Sequence, residues 1–261
     1  MFPVFDVAHF ILSCYGVRCD ISGVSPLRKN PLACYVGCLL VCFAGGIISN
    51  FLLGLPLLAF IDDETSILTA SFIWYLMFYS PKDIVYRMCD SLFVRIPVIA
   101  FKEIARARKV SAGISLAATL YPSGWLVMFV VGIAKGAGGS YMKIVDRLIR
   151  GTFSSQVNEF LTPSLDTKST VIGAAILTLG KSGYFKIEYP QLVLMVSLGF
   201  VYLKIASVLL NMTNPYGYAE NIFCNFVFGR VEEDSACPSK KEHFKDDTLS
   251  PASTWSKTKS E

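Results

Sequence analysis

Charge is scarce in this chain. Only 17% of its 261 residues are charged, where a soluble domain carries about 25%. The shortage is uneven: charges vanish over long apolar stretches and gather between them, as they do around membrane spans. Histidine is nearly missing, with only His9 and the distant His243. No Gly-x-Ser-x-Gly run and no aspartate pair on facing spans appears, so an intramembrane enzyme is disfavoured. A net charge of +4 is too small to suggest nucleic acid as a partner. The eight cysteines show neither metal-ligand spacing with histidine nor a disulfide framework. Cys34, Cys38 and Cys42 fall on one helical face and read as small apolar packing residues. A cleavable leader is not evident either, because the first apolar stretch holds Asp6 and His9 and has no basic flank before it.

Apolar segments are what the chain has in abundance, and its mean hydropathy is +0.49. Seven are legible, at about residues 2–17, 31–60, 66–79, 83–121, 124–150, 170–179 and 189–212. The fourth is unusual in carrying Arg87, Asp90, Arg95, Lys102, Glu103, Arg106, Arg108 and Lys109, with Pro97 as its one strong breaker. Loop charges separate by side. Arg18, Arg28, Lys29, Lys82, Arg87, Lys143, Arg147 and Arg150 collect on one face; Asp62, Asp63, Glu64, Lys181, Lys186 and Glu188 collect on the other. The positive-inside rule then places the amino terminus in a lumen and the carboxyl terminus in the cytosol. Asn211-Met212-Thr213 matches a glycosylation sequon but falls at the cytosolic end of the last span, so it is expected to stay unmodified.

The second and fifth segments share a feature. Ala44-Gly45-Gly46 lies midway in one, and Ala137-Gly138-Gly139 midway in the other, three spans apart. An odd number of spans inverts orientation, so the pattern predicts two inverted three-helix repeats plus a seventh helix. Paired glycines cost helix stability. Two uses offset that cost: close helix approach, or a kink whose freed carbonyls face a water-filled path. Matching positions in two halves favour the path. The expected organisation is a channel or carrier domain at about 1–229, with repeats at about 1–81 and 82–185 and the seventh helix at about 187–213. A polar tail at about 230–261 is expected to lack a packed core.

Lys102 and Arg106 are four apart and share a helical face, with Glu103 beside them. Charges inside a membrane segment face a cavity, a partner or both. Three uses stay open: Glu103 pairs a base on a neighbouring helix, the bases respond to the membrane field, or they hold an anionic lipid headgroup. Lys135 adds a further base beside the second glycine pair. A cation path lined this way needs a counter-charge, which a bound phosphoinositide would supply.

The run Lys102-Glu103-Ile104, then Arg106, Lys109-Val110 and Gly113, resembles the lysine-glutamate-valine motif of the trimeric intracellular cation channels. Gly124-Trp125 followed by Lys135-Gly136-Ala137-Gly138-Gly139 is similar to that family's glycine-rich fifth helix. Phe5-Asp6-Val7-Ala8-His9 and Arg28-Lys29-Asn30-Pro31 resemble its start and the loop that follows. The likeness covers about residues 3–212 and is nearest the invertebrate TRIC-B type. It implies an all-α integral membrane protein of seven transmembrane helices, forming a homotrimer with one pore per protomer. It further implies potassium conduction across endoplasmic or sarcoplasmic reticulum, with a functional link to calcium-release channels. On matching positions, Lys102 and Arg106 would hold phosphatidylinositol 4,5-bisphosphate. Gly45, Gly46, Gly138 and Gly139 would form the kinks, with Ser49 and Lys135 beside the pore. The resemblance departs at Pro122, where vertebrate members often carry a lysine, so a voltage-sensing role for that position does not carry over. Lys257 and Lys259 resemble a dilysine retrieval signal; two lysines in a polar tail is the alternative. A SWEET-type transporter also has seven spans, but its repeats are parallel.

Overall fold

The structure is a computed structural model that describes residues 3–20, 30–149, 151, 163–210 and 216–217. The loop bases Arg28 and Lys29, together with Arg150, lie outside the described residues. So do the sequon at Asn211, the tail at 230–261 and its terminal lysines. The described residues of the first 216 belong to one compact unit, Met1–Tyr216.

Every regular element described is helical: α1 (Pro3–Asp20), α2 (Pro31–Leu53), α3 (Glu64–Tyr79), α4 (Ile84–Asp90), α5 (Leu92–Leu120), α6 (Trp125–Ile149), α7 (Leu165–Lys181) and α8 (Tyr189–Leu209). Local chemistry sets several ends. Pro31 opens α2, where its missing N–H is no loss. Gly54 closes it in the left-handed region (φ 67°), its N–H reaching the Asn50 and Phe51 carbonyls. Asp63 caps α3, accepting from the Ser66 backbone N–H at 3.3 Å and from its hydroxyl at 2.5 Å. Ser164 caps α7 by accepting from the Thr167 N–H at 3.4 Å.

Among the described residues there are eight α-helices rather than seven segments, because the fourth segment divides. The division falls at Ser91, which is extended (ψ 129°), and not at Pro97. Pro97 sits in the second turn of α5, where it removes only one bond, to the carbonyl of Phe93. Phe93 is 92% exposed. The second segment also ends earlier than its apolar run suggests, giving way to a 3₁₀ turn at Leu57–Phe60. The sixth begins a turn earlier, because Thr167, Ser169 and Thr170 are polar yet buried.

The packing repeats. In the first half α1 lies against α2 and α3, and α2 against α3; in the second, α5 lies against α6 and α7, and α6 against α7. Each half has its own core. Phe10, Cys14, Cys38, Met77 and their neighbours fill the first. Val110, Ile114, Val131, Leu177 and theirs fill the second. The halves meet where α2 crosses α6 and α1 meets α5, and α8 packs on α5 and α7. Cys34, Cys38 and Cys42 are buried in the first core and are not joined in disulfides.

Large apolar side chains such as Leu32, Phe51, Phe72, Trp125, Leu194 and Tyr202 point outward. So many exposed large apolar side chains suit hydrocarbon rather than water. Pro31–Leu53, Trp125–Ile149 and Tyr189–Leu209 are each long and apolar enough to cross a membrane.

Candidate functional site

A cavity of about 490 Å³ opens between the halves, walled by α1, α2, the start of α3 with its preceding turn, α5, α6 and α7. Five bases reach it: Lys102, Arg106 and Lys109 from one face of α5, and Lys135 and Lys143 from α6. Three carboxylates share the lining: Asp6, Asp63 and Asp166. His9 completes the α1 wall and donates from Nε2 to the Cys42 carbonyl at 3.0 Å. The spacing of Lys102, Arg106 and Lys109 aligns them along one stripe, while Arg108 is exposed on another face.

Counter-charge comes from within the protein. Asp166, near the start of α7, lies 3.5 Å from Arg106, 4.0 Å from Lys102 and 2.5 Å from Lys204 of α8. Glu103 is 0% exposed and pairs with Arg106, three residues on along the same helix. This corrects one expected use of Glu103, a bond to a base on a neighbouring helix. Arg106 is 7% exposed, and its Nε and Nη1 make no hydrogen bond among the described residues.

The two glycine pairs divide their work. Gly45 and Gly138 are where α2 and α6 touch: a Cβ on Gly138 would lie 2.7 Å from the Gly45 Cα. A Cβ on Gly45 would collide with the Lys135 carbonyl. Gly46 has nothing within 4 Å of its would-be Cβ, and Gly139 meets only the Val41 carbonyl at 3.5 Å. Both line the cavity, as does Gly45 at its edge of the contact, whereas Gly138 does not. Helical structure continues through both pairs. The Lys135 stem passes over Gly113 of α5 before its amine reaches the cavity. Ser49 is buried rather than among the lining residues, and its hydroxyl donates to the Gly46 carbonyl at 3.0 Å.

Asp6, His9, Asp63 and Lys143 join the lining without having been singled out as site residues in the sequence, and the ion-pair centre brings in two further groups, Asp166 and Lys204. Lys204 is the sole charge in α8, and a lone charge in an apolar span is a signal in itself. Asp166 was hidden because its turn of α7 fell in the loop before the sixth apolar segment.

A helical membrane bundle with two similar halves and a charged cavity of about 490 Å³ between them has the form of a membrane transport protein. The TRIC channel family model matches residues 21–211, and the chain belongs to that family. It is 41% identical over 234 residues to the trimeric intracellular cation channel type 1B.1 of Caenorhabditis elegans, covering 88% of this chain and 79% of that one. To the type B-A channel of Xenopus laevis it is 34% identical over 236 residues, 90% of this chain and 83% of that one. A solved trimeric intracellular cation channel from C. elegans, without Ca2+, superposes with a TM-score of 0.75 at 40% identity, covering 81% of this chain and 92% of its own. A second solved structure, described as the basis for activity of TRIC counter-ion channels in calcium release, gives 0.77 at 35% identity, covering 81% and 94%. The family consists of cation channels and not enzymes, and the SWEET-type alternative is not favoured.

Proposed function

We propose that this chain is a potassium-conducting channel of the endoplasmic or sarcoplasmic reticulum membrane. It supplies counter-ion flux during calcium release, in functional partnership with calcium-release channels. It acts as a homotrimer of seven-span protomers, each with its own pore through the cavity. The amino terminus is luminal and the carboxyl terminus cytosolic. Phosphatidylinositol 4,5-bisphosphate is held by Lys102 and Arg106 beside that pore.

The observation that carries this reading is the excess of bases in a cavity between two similar halves. Five bases face three carboxylates there, and a path with that surplus repels cations unless an anion enters. A phosphate group fits the arrangement. Lys102 and Arg106 line the cavity from one face of α5, and Asp166 approaches them no nearer than 3.5 Å. A polyphosphate headgroup carries several acceptor oxygens and would satisfy them. When bound, it supplies the negative field that lets potassium pass; Lys102 and Arg106 fix its position.

Gly46 and Gly139 leave the wall without side chains at the midpoint of each half, and Lys135 stands beside them. The Ser49 hydroxyl already donates to the Gly46 carbonyl, so a helical bond opened there would leave no bare acceptor. Orientation is supported by the loop charges, since Arg18, Lys143 and Arg147 gather at one end. There Lys143 and Arg147 share Asp20 at 3.8 and 3.3 Å.

Single-channel recording in planar bilayers under a potassium gradient tests the reading. Wild-type protein is expected to give potassium-selective steps, and Lys102→Ala/Arg106→Ala to alter them and their dependence on added phosphoinositide. Silent bilayers containing correctly assembled wild-type protein would overturn it.

A further inference from the structure

Asp166 serves too many partners for one carboxylate. Lys102 and Arg106 approach it from α5, and Lys204 from α8. The distances are graded: Lys204 is held tightly at 2.5 Å, while Arg106 at 3.5 Å and Lys102 at 4.0 Å are held loosely. Asp166 is also 20% exposed into the cavity. Glu103 differs, being fully buried against Arg106 and absent from the lining. Two carboxylates therefore answer three bases: Glu103 meets Arg106 from the buried side, while on the cavity side Lys102 and Arg106 are answered only by Asp166, which also has Lys204 to keep.

We propose that Asp166 is an exchangeable resident counter-charge: it holds Lys102 and Arg106 until a phosphate group takes them, and then remains paired with Lys204. This rests on the reading of Lys102 and Arg106 as a phosphoinositide site. A phosphomonoester carries close to two negative charges and three acceptor oxygens, so it outmatches one shared carboxylate for two bases. Asp166 loses little in the exchange, because its shortest contact persists. Its role is one of positioning and competition. It lowers the affinity of the site for phosphate, and it keeps the bases from standing bare in the cation path when no phosphate is present.

The test uses the full chain in phosphatidylcholine nanodiscs with stepped amounts of phosphatidylinositol 4,5-bisphosphate. Soluble inositol trisphosphate runs as a parallel probe, separating a lipid source from a free phosphate. Asp166→Asn is expected to bind about tenfold more tightly, because the carboxylate charge that competes for Lys102 and Arg106 is gone. Asp166→Glu restores the charge and is expected to return affinity toward the wild-type value. In lipid without phosphoinositide, Asp166→Asn is expected to conduct cations less well and to recover when the lipid is added. A purely structural role would instead weaken binding and conduction together, with no recovery. If Asp166→Asn does not assemble, Asp166→Asn/Lys204→Met removes the closest pair without changing net charge, and its affinity decides by the same criterion. Binding that is lost in Lys102→Ala/Arg106→Ala but unaltered or weaker in an assembled Asp166 variant overturns the exchange alone. Wild-type protein that binds neither probe overturns the lipid reading and the exchange with it.

Discussion

At the scale of single residues, the energetics concentrate on a few side chains that cannot move. Glu103 has no exposure and answers the charge of Arg106. Removing one partner of a buried ion pair strands the other. Glu103→Ala is therefore expected to cost about 3–5 kcal/mol, read as a lowered unfolding midpoint of the detergent-solubilised protein. The glycines permit a sharper comparison. Gly138→Ala places a methyl against the Gly45 backbone, which cannot rotate away. About 1–3 kcal/mol of destabilisation is expected from such overpacking. Gly46→Ala meets nothing within 4 Å and gains helix propensity, so it is expected to raise stability by up to about 1 kcal/mol. Because Gly46 lines the cavity, the same variant is expected to alter conductance. Equal melting points for the two alanine variants would refute the assignment of Gly138 to the helix contact.

Among the elements, the junction from α3 to α5 holds most of the irregular backbone. Lys82 and Asp83 both adopt positive φ, 54° and 57°, in a region that side chains other than glycine seldom occupy. Arg18 stabilises this turn from the end of α1. Its guanidinium donates to the Met77 carbonyl and to Asp83 at 2.7 Å, and lies over the Tyr86 ring at 4.4 Å. The hydrogen bond from Arg18, followed by its charge, holds the Asp83 carboxyl below its ordinary 3.8. A depressed carboxylate contributes stability above its unfolded value and loses it as the pH falls through the folded one. Acid titration is therefore expected to loosen this junction below pH 3.8. Asp83→Asn should remove that acid-dependent step, measured by proteolysis of the α3–α4 turn as the pH is lowered. A step that persists in Asp83→Asn would assign it to another group.

For the molecule as a whole, the repeated packing pattern and the outward apolar side chains carry the consequences. Each half has its own core, and the cavity lies along the seam between them. Native mass measurement of the detergent-solubilised protein is expected to give three chains. Protease protection in sealed microsomes is expected to leave the carboxyl tail accessible from the cytosolic side and the amino terminus shielded. Shielding of both ends would require an even number of spans and would refute the seven-span topology.

The sequence by itself determined the all-helical membrane architecture, because apolar runs of that length have few other solutions. It also determined which bases share a stripe, since Lys102 and Arg106 need only helical periodicity to align. It marked both glycine pairs by their matching positions in the two halves. Tertiary structure alone decided what those features touch. Periodicity states which face of a helix is apolar or charged, but not which neighbour covers it. That is why Glu103 bonds along its own helix, and why Gly45 and Gly138 meet while Gly46 and Gly139 face the cavity. Likewise the α4–α5 break falls at Ser91 and not at Pro97, because a proline in the second turn forfeits only one bond. Asp166 is the clearest case: its carboxylate joins bases from two distant helices, a meeting that exists only once α5, α7 and α8 are packed together.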